Sequence, residues 1–156
     1  MGGGLPLRPW LIERARALFA RGPVMEMKGA APDSTLTRGH QAETLAAEYL
    51  SRQGLKLLDR NVRAGRGEID LVMLSGATLV FVEVRARKSA APVSAVESIS
   101  RSKRLKVIET AERLLQTRAE WRNRPCRFDV VAVRTASDMQ PDHIDWIKDA
   151  FQAGQD

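Results

Sequence analysis

Two neighbouring apolar segments of this chain carry acidic residues at positions where a buried strand needs hydrophobic ones. Residues 67–72 have the sequence GEIDLV, and residues 80–85 have the sequence VFVEVR. Both segments have the composition of β-strands, which would draw Asp70 and Glu83 into the protein interior. A carboxylate that leaves water costs folding free energy unless something compensates its charge. A divalent metal ion is a common compensation, so we expect the chemistry of this protein at these two segments.

The spacing of the acidic residues predicts how they meet. The two strands should pair as an antiparallel hairpin through a tight connection at residues 75–77. Side chains two residues apart share a face of a strand, so Glu83 lies beside Arg85, and Asp70 beside Glu68. If these faces meet, Asp70 and Glu83 could hold Mg²⁺ or Mn²⁺ next to a cation. The alternative is a set of simple ion pairs: Glu83 with Arg85 or Arg87, and Asp70 with Arg66.

The composition limits the class of protein. With 156 residues, the chain is long enough for one domain with a hydrophobic core. It has no apolar run that could span a membrane, and its N-terminus lacks the apolar core of a secretory signal. A single cysteine, Cys126, fits a reducing cytoplasm. Because His40 and His143 are the only histidines, a metal site would consist mainly of carboxylates.

The charge of the chain favours an acidic partner. The net charge is +6, and the isoelectric point is about 10.1, a value typical of nucleic-acid-binding proteins. Residues 101–127 contain nine lysines and arginines against three acids, and they form either a solvated helix surface or a face that binds phosphates. Aromatic residues are scarce, which favours recognition of duplex or branched DNA over base stacking on a single strand.

Hydrophobic periodicity predicts an α/β domain. Helices are expected at about residues 38–53, where Gly54 would end the helix, and at about 93–117. Strands are expected at residues 55–61, 69–74, 79–87 and 127–134. Residues 144–151 form either a strand or a short helix that would pack on the sheet through Trp146 and Phe151. The expected fold is a mixed β-sheet flanked by helices.

Residues 1–36 differ in composition from the domain expected at residues 37–156. Three consecutive glycines and several prolines predict flexible or irregular backbone there. Residues 10–21 could form a short basic amphipathic helix for a membrane surface or for targeting, but we favour a poorly ordered extension. Met25 and Met27 leave open a natural start downstream of Met1.

Four segments together resemble the bacterial YraN-like family. They are the pattern Gly39-x-x-x-Glu43, GEIDLV at residues 67–72, VFVEVRAR at residues 80–87, and RFDVV at residues 127–131. That family is of uncharacterised function and is similar to the restriction-endonuclease-like, PD-(D/E)xK fold group. Within this group it resembles archaeal Holliday-junction resolvases. The resemblance covers about residues 36–152 and implies a restriction-endonuclease-like mixed β-sheet flanked by helices.

The resemblance implies roles for individual residues. Asp70 matches the aspartate that precedes the central acid, Glu83 matches the acid of the E-x-K element, and Arg85 stands at its lysine position. Asp70, Glu83 and Arg85 would then be catalytic. Glu43 matches a helix glutamate that completes the metal site with Asp70 and Glu83; without the resemblance it would be an ordinary surface residue.

Two further acidic residues lie in the matching segments. Glu68 would be a supporting or alternative metal ligand. Asp129 belongs to the later strand motif, but an ion pair with Arg127 would give it a structural role instead.

The basic residues of these segments raise the question of catalysis. Members of the PD-(D/E)xK group usually carry lysine at the position of Arg85, and arginine stays charged, so it cannot act as a base. Arg85 could still stabilise negative charge on a phosphate. Arg87, Lys103 and Lys106 would contact the nucleic-acid backbone, or they are solvated side chains on the surface.

Three functions are compatible with these features. The first is a magnesium- or manganese-dependent endonuclease acting on structured DNA. The second is a nucleic-acid-binding protein that keeps the nuclease fold without turnover. The third is an interaction module, including a homodimer formed through Trp146 and Phe151.

Overall fold

The computed structural model describes residues 35–87, 99–134 and 143–154, all within the unit Asp33–Asp156. These residues form helices and strands in the predicted order. The elements are α1 (Thr35–Arg52), β1 (Lys56–Ala64), β2 (Gly67–Ser75), β3 (Thr78–Arg87), α2 (Arg101–Thr117), β4 (Cys126–Arg134) and β5 (His143–Phe151).

The described strands form one mixed sheet in the spatial order β1-β2-β3-β4-β5. Neighbouring strands are antiparallel except β3 and β4, which are parallel. Parallel neighbours need a crossover connection, and α2 lies between these two strands in the chain. The β2–β3 hairpin has the expected tight turn, at Gly76 and Ala77. The predicted α/β class, a mixed sheet flanked by helices, is therefore confirmed.

The two helices cover opposite faces of the sheet. Because side chains alternate along a strand, each face has its own hydrophobic core. The core on the α1 side includes Ala42, Ala46, Leu50, Leu71, Met73, Val80, Val82, Val131 and Val133. The core on the α2 side includes Ile69, Val72, Phe81, Ile99, Val107, Ala111, Leu114, Phe128, Val130 and Phe151. Since Val82 lies on the α1 side of β3, Glu83 is turned towards α2.

The ends of both helices follow from local sequence. Gly54, two residues after the end of α1, has a φ of +94°, a backbone conformation that favours glycine. α2 begins at Arg101 because the Ser100 hydroxyl accepts a hydrogen bond from the Lys103 N–H, 3.2 Å away. The predicted helix over residues 93–117 is thus wrong at residues 99 and 100, and residues 93–98 lie outside the described part.

The tail is a strand rather than a helix. β5 pairs with β4, and the Phe151 ring stacks on Phe128 at a centroid distance of 5.1 Å. The Trp146 ring packs edge-on against Tyr49 of α1. Both side chains predicted to anchor the tail therefore pack within the domain.

The predictions for the N-terminal region concern residues that are, apart from Thr35 and Leu36, not described. These are the irregular extension, the helix at residues 10–21 and the downstream start at Met25 or Met27. Neither helix in the described ranges is long and apolar enough to cross a membrane.

Candidate metal centre

Strands β2 and β3 part from each other at the two acidic residues. Their hydrogen-bonded ladder ends at Leu71↔Val82, and Asp70 and Glu83 would be the next facing pair. Facing residues of an antiparallel pair point to the same side of a sheet, which here is the α2 side. The fold therefore brings the Asp70 and Glu83 carboxylates together.

Beyond the last ladder pair, the Asp70 side chain takes the place of a backbone carbonyl as the hydrogen-bond acceptor for β3. The Val84 N–H donates a hydrogen bond of 2.7 Å to Asp70 Oδ2, which fixes the orientation of the carboxylate. Burial, and then the charge of Glu83, raise the pKa of Asp70 to about 7, although the Val84 bond acts in the opposite direction. A proton and a metal ion would therefore compete for this carboxylate near neutral pH.

Glu83 is a buried acid whose two oxygens differ in surroundings. Its side chain is only 3% exposed. Oε1 lies 3.4 Å from Lys103 Nζ and 3.9 Å from Arg85 Nη1. Oε2 is buried, and no N–H of the described residues donates to it, so the carboxyl of Asp70, when protonated, is the hydrogen-bonding neighbour of Glu83 in the absence of a ligand. Burial raises the pKa of Glu83, while Lys103, Arg85 and a hydrogen bond with the Asp70 carboxyl lower it.

Gly67 allows the start of β2 to lie directly against α2. A Cβ at this position would overlap Thr110 Oγ1 and would lie 3.2 Å from the Lys106 carbonyl oxygen. The buried Thr110 hydroxyl donates a 2.6 Å hydrogen bond to the same carbonyl, so it is not free to turn away. The glycine of the GEIDLV segment thus sets the distance between the acidic strand and the basic helix.

Glu43, on α1, lies near enough to Asp70 to act on it through its charge, but it does not form a group of three metal ligands with Asp70 and Glu83. The Asn61 side-chain amide donates a 3.1 Å hydrogen bond to Glu43 Oε2, and His40 Nδ1 lies 3.6 Å from the same oxygen. The charge of Glu43 contributes to the raised pKa of Asp70, after burial, which is the largest cause, and the charge of Glu83. Within residues 35–87, 99–134 and 143–154, no three His, Cys, Asp or Glu side chains are grouped closely enough to hold a metal.

Glu68 has a different partner. It forms an ion pair and a hydrogen bond with Arg63 on the facing position of β1. Its carboxylate is thereby held at the edge of the sheet.

Asp129 is fully buried and organises the β4–β5 pair. It accepts hydrogen bonds from Arg127, from the Trp146 indole at 2.9 Å and from the Asp149 backbone N–H at 3.0 Å. The last bond lies at a register shift between the strands, where Asp149 has a φ of +49°. The predicted ion pair with Arg127 is confirmed, and all these contacts are structural. Because Asp129 faces Val82 in register, it points away from the Asp70–Glu83 side.

The three basic residues expected to contact nucleic acid occupy different positions. Lys103 is half-buried and points at Glu83, whereas Lys106, one turn later on α2, is exposed. Arg87 is half-buried at the end of β3. The basic helix and the acidic pair therefore adjoin each other.

One residue of this region was missed by sequence analysis. The sequence predicts that β1 ends at Asn61, but the strand continues to Ala64, and Asn61 adopts a φ of +49° within it. Its amide holds Glu43. Residue type was a signal for the backbone conformation only, because asparagine tolerates the left-handed region far better than most residues, and it does not predict the contact with Glu43.

The fold and the site together define an α/β protein with a mixed sheet and a paired, buried carboxylate centre beside a basic helix. The family model described as "Uncharacterised protein family UPF0102" matches residues 42–133, more than half of the chain. The chain belongs to this family, which confirms the resemblance to YraN-like proteins drawn from the four segments.

Individual relatives support the same assignment. A UPF0102 protein of Pseudomonas aeruginosa (strain LESB58) is 51% identical over 121 residues, which is 78% of this chain and 97% of the relative. One of Pseudomonas paraeruginosa (strain DSM 24068 / PA7) is 52% identical over 116 residues, covering 74% and 93%. One of Ectopseudomonas mendocina (strain ymp) is 48% identical over 115 residues, covering 74% and 94%.

Proposed function

We propose that this protein is a magnesium- or manganese-dependent endonuclease that acts on duplex or branched DNA. The observation that carries the proposal is the buried Glu83 Oε2, which receives no N–H hydrogen bond from the described residues and belongs to a carboxylate next to Asp70. Two buried carboxyls that lie together in a sheet need a proton or a cation between them, and such a site is suited to a dication.

The donor set fits a hard cation. Asp70 and Glu83 supply carboxylate oxygens, and magnesium usually keeps several waters while it is held by one or two carboxylates. Glu43, oriented by Asn61, would add negative charge from the α1 side. A bound divalent ion would neutralise charge on the phosphate and would make water a better nucleophile.

The proposed reaction is hydrolysis of a phosphodiester. The oxygen of a water forms a bond to phosphorus, and the bond from phosphorus to one bridging sugar oxygen breaks. The water loses a proton to the solvent, and the departing sugar oxygen gains one from the solvent. Asp70 and Glu83 would hold the divalent ion next to the phosphate, and the basic side chains beside Glu83 would supply positive charge to the phosphate oxygens.

The basic side chains of α2 would position the nucleic acid. Lys106 is exposed one turn after Lys103, and lysines three residues apart on a helix are neighbours on its surface. With Arg87 at the end of β3, they would contact phosphates and give a salt-dependent affinity.

A second candidate function is binding of nucleic acid without cleavage. Arg85 favours it, because the arginine stands where the PD-(D/E)xK group usually has a lysine. The third possibility, an interaction module, relied on Trp146 and Phe151, whose rings pack on Tyr49 and Phe128 within the domain.

The experiment compares the wild type with Glu83→Gln, which keeps the size of the side chain and removes its charge. The matched control is Glu112→Gln, an exposed glutamate on α2. Each protein is incubated with four-way junctions, flaps, duplex and single-stranded DNA in Mn²⁺ or Mg²⁺. We expect junction or duplex cleavage by the wild type and the control, with a loss of at least about 100-fold in Glu83→Gln.

Equal cleavage by the wild type and Glu83→Gln would refute the enzyme proposal. Salt-sensitive DNA binding without any cleavage would establish the second candidate function instead. The salt dependence is measured by fluorescence anisotropy, and each phosphate contact contributes about 0.9 to its logarithmic slope.

A further inference from the structure

We infer that Lys103, rather than Arg85, is the cation of this centre that contacts the reacting phosphate. The inference rests on the proposed function and assigns one role within it. The position of Arg85 in the E-x-K element points to the arginine, but the side-chain geometry favours the lysine from α2.

The first argument is distance. Lys103 Nζ lies 3.4 Å from Glu83 Oε1, whereas Arg85 Nη1 lies 3.9 Å from the same oxygen. Both cations therefore lie near the same oxygen of Glu83, and Lys103 is the closer of the two. Glu83 Oε2 is buried and receives no N–H hydrogen bond from the described residues, so it is the oxygen that would bind a metal. A metal on Oε2 and Lys103 on Oε1 would not compete for the same atom.

The second point is accessibility, which the two cations share. The Lys103 side chain is 38% exposed and the Arg85 side chain is 40% exposed, while their carboxylate partner is only 3% exposed. Both cations therefore reach the surface from which a phosphate must approach, and exposure does not separate them. The three N–H donors of Lys103 allow one bond to Glu83 and further bonds to phosphate oxygens at the same time.

The third argument is anchoring. Lys103 lies in the first turn of α2, where its backbone N–H is held by the Ser100 hydroxyl at 3.2 Å. Because Gly67 has no side chain, the start of β2 can lie directly against the following turns of the same helix. The position of the lysine relative to Glu83 is therefore set by two independent packing features. The positive end of the helix dipole adds a favourable field for a phosphate beside it.

The test compares Lys103→Met with Arg85→Met, which remove the two charges one at a time. Lys56→Met, an exposed lysine at the start of β1, is the matched control. The first readout needs no turnover: DNA affinity is measured in Ca²⁺ at several salt concentrations. We expect Lys103→Met to lower the logarithmic salt slope by about 0.9, which corresponds to one lost phosphate contact, while Lys56→Met leaves it unchanged.

The second readout is single-turnover cleavage in Mn²⁺. We expect Lys103→Met to lose about 100-fold or more in rate, and Arg85→Met to lose less than about tenfold. Lys103→Arg keeps the charge next to Glu83, so it protects the fold and should recover cleavage to within about tenfold of the wild type. Thermal unfolding of every variant identifies losses that come from misfolding.

An unchanged salt slope in Lys103→Met, or a larger loss of cleavage in Arg85→Met, would overturn the inference. If the wild type shows no cleavage that depends on Glu83, the proposed function fails, and the catalytic role of Lys103 fails with it. The phosphate contact is still decided in that case, because the binding experiment in Ca²⁺ does not depend on cleavage.

Discussion

Replacement of Asp70 by asparagine should stabilise the metal-free protein at alkaline pH. The substitution keeps the size of the side chain and an oxygen that can accept the Val84 N–H. It removes the negative charge that lies beside Glu83 in the buried pair. The ionised Asp70 carboxylate is thus expected to weaken the fold when no cation is bound beside it.

The magnitude follows from the pKa of Asp70, which burial, and then the Glu83 charge, raise from 3.8 to about 7. Each pH unit between two pKa values is equivalent to about 1.4 kcal/mol, so the ionised carboxylate lowers the free energy of unfolding by about 4 kcal/mol. Because the pKa is higher in the folded state, the folded protein binds more protons between pH 3.8 and pH 7. Stability from this group is therefore present at low pH and is lost as the pH rises through that range.

The assay is urea unfolding in the presence of a chelator, near pH 5 and near pH 8, for the wild type, Asp70→Asn and the surface control Glu112→Gln. We expect Asp70→Asn to gain roughly 2–4 kcal/mol over the wild type near pH 8 and clearly less near pH 5. The lower end of the range allows for Glu83, because part of the free energy needed to bury the two carboxylates together belongs to this residue and remains in the variant. A destabilised Asp70→Asn at the higher pH, or the same difference at both pH values, would refute the reasoning.

Other perturbations test the packing and the site. Gly67→Ala should lower the free energy of unfolding, measured by urea titration, by about 1–3 kcal/mol, because the new Cβ would overlap Thr110 Oγ1. Gly39→Ala is the control in α1, where no atom lies within 4 Å of the new Cβ, and it should raise the free energy of unfolding by about 0.5–1 kcal/mol. Asp129→Ala should destabilise by about 3–5 kcal/mol, since Arg127, Trp146 and the Asp149 N–H lose a buried acceptor; an unchanged unfolding midpoint would contradict its structural role. Mn²⁺ at about 100 times its dissociation constant should stabilise the wild type by about 2.7 kcal/mol. Calorimetric unfolding measures this stabilisation, which should disappear in Glu83→Gln. If the stabilisation persists in that variant, the ion binds at another place.

The local features of the site were accessible from the sequence. Alternation along a strand puts Glu83 and Arg85 on one face, and a tight turn at Gly76 determines which residues of the hairpin meet. These rules were sufficient to expect Asp70 next to Glu83. They depend only on backbone geometry, which is the same in every antiparallel hairpin.

The less predictable features depend on contacts between distant segments. Residues 144–151 had no clear period, because β5 lies at the sheet edge and bends at Asp149, where Asp129 accepts a backbone hydrogen bond. The contact between Asn61 and Glu43 joins a strand to a helix. Neither spacing nor residue type predicts such a pair, since it depends on how α1 lies across the sheet.

Hydrophobic periodicity and short-range geometry were sufficient to predict the α/β class, the paired acids of the hairpin and the basic character of α2, and the four motif segments were sufficient to predict the family. The position of Lys103 could not be predicted in this way, because α2 is separated from the hairpin in sequence. In the folded protein Lys103 lies closer to Glu83 than Arg85 does. A charge interacts with whatever lies near it in space, and the packing of α2 on β2 at Gly67 determines that neighbour.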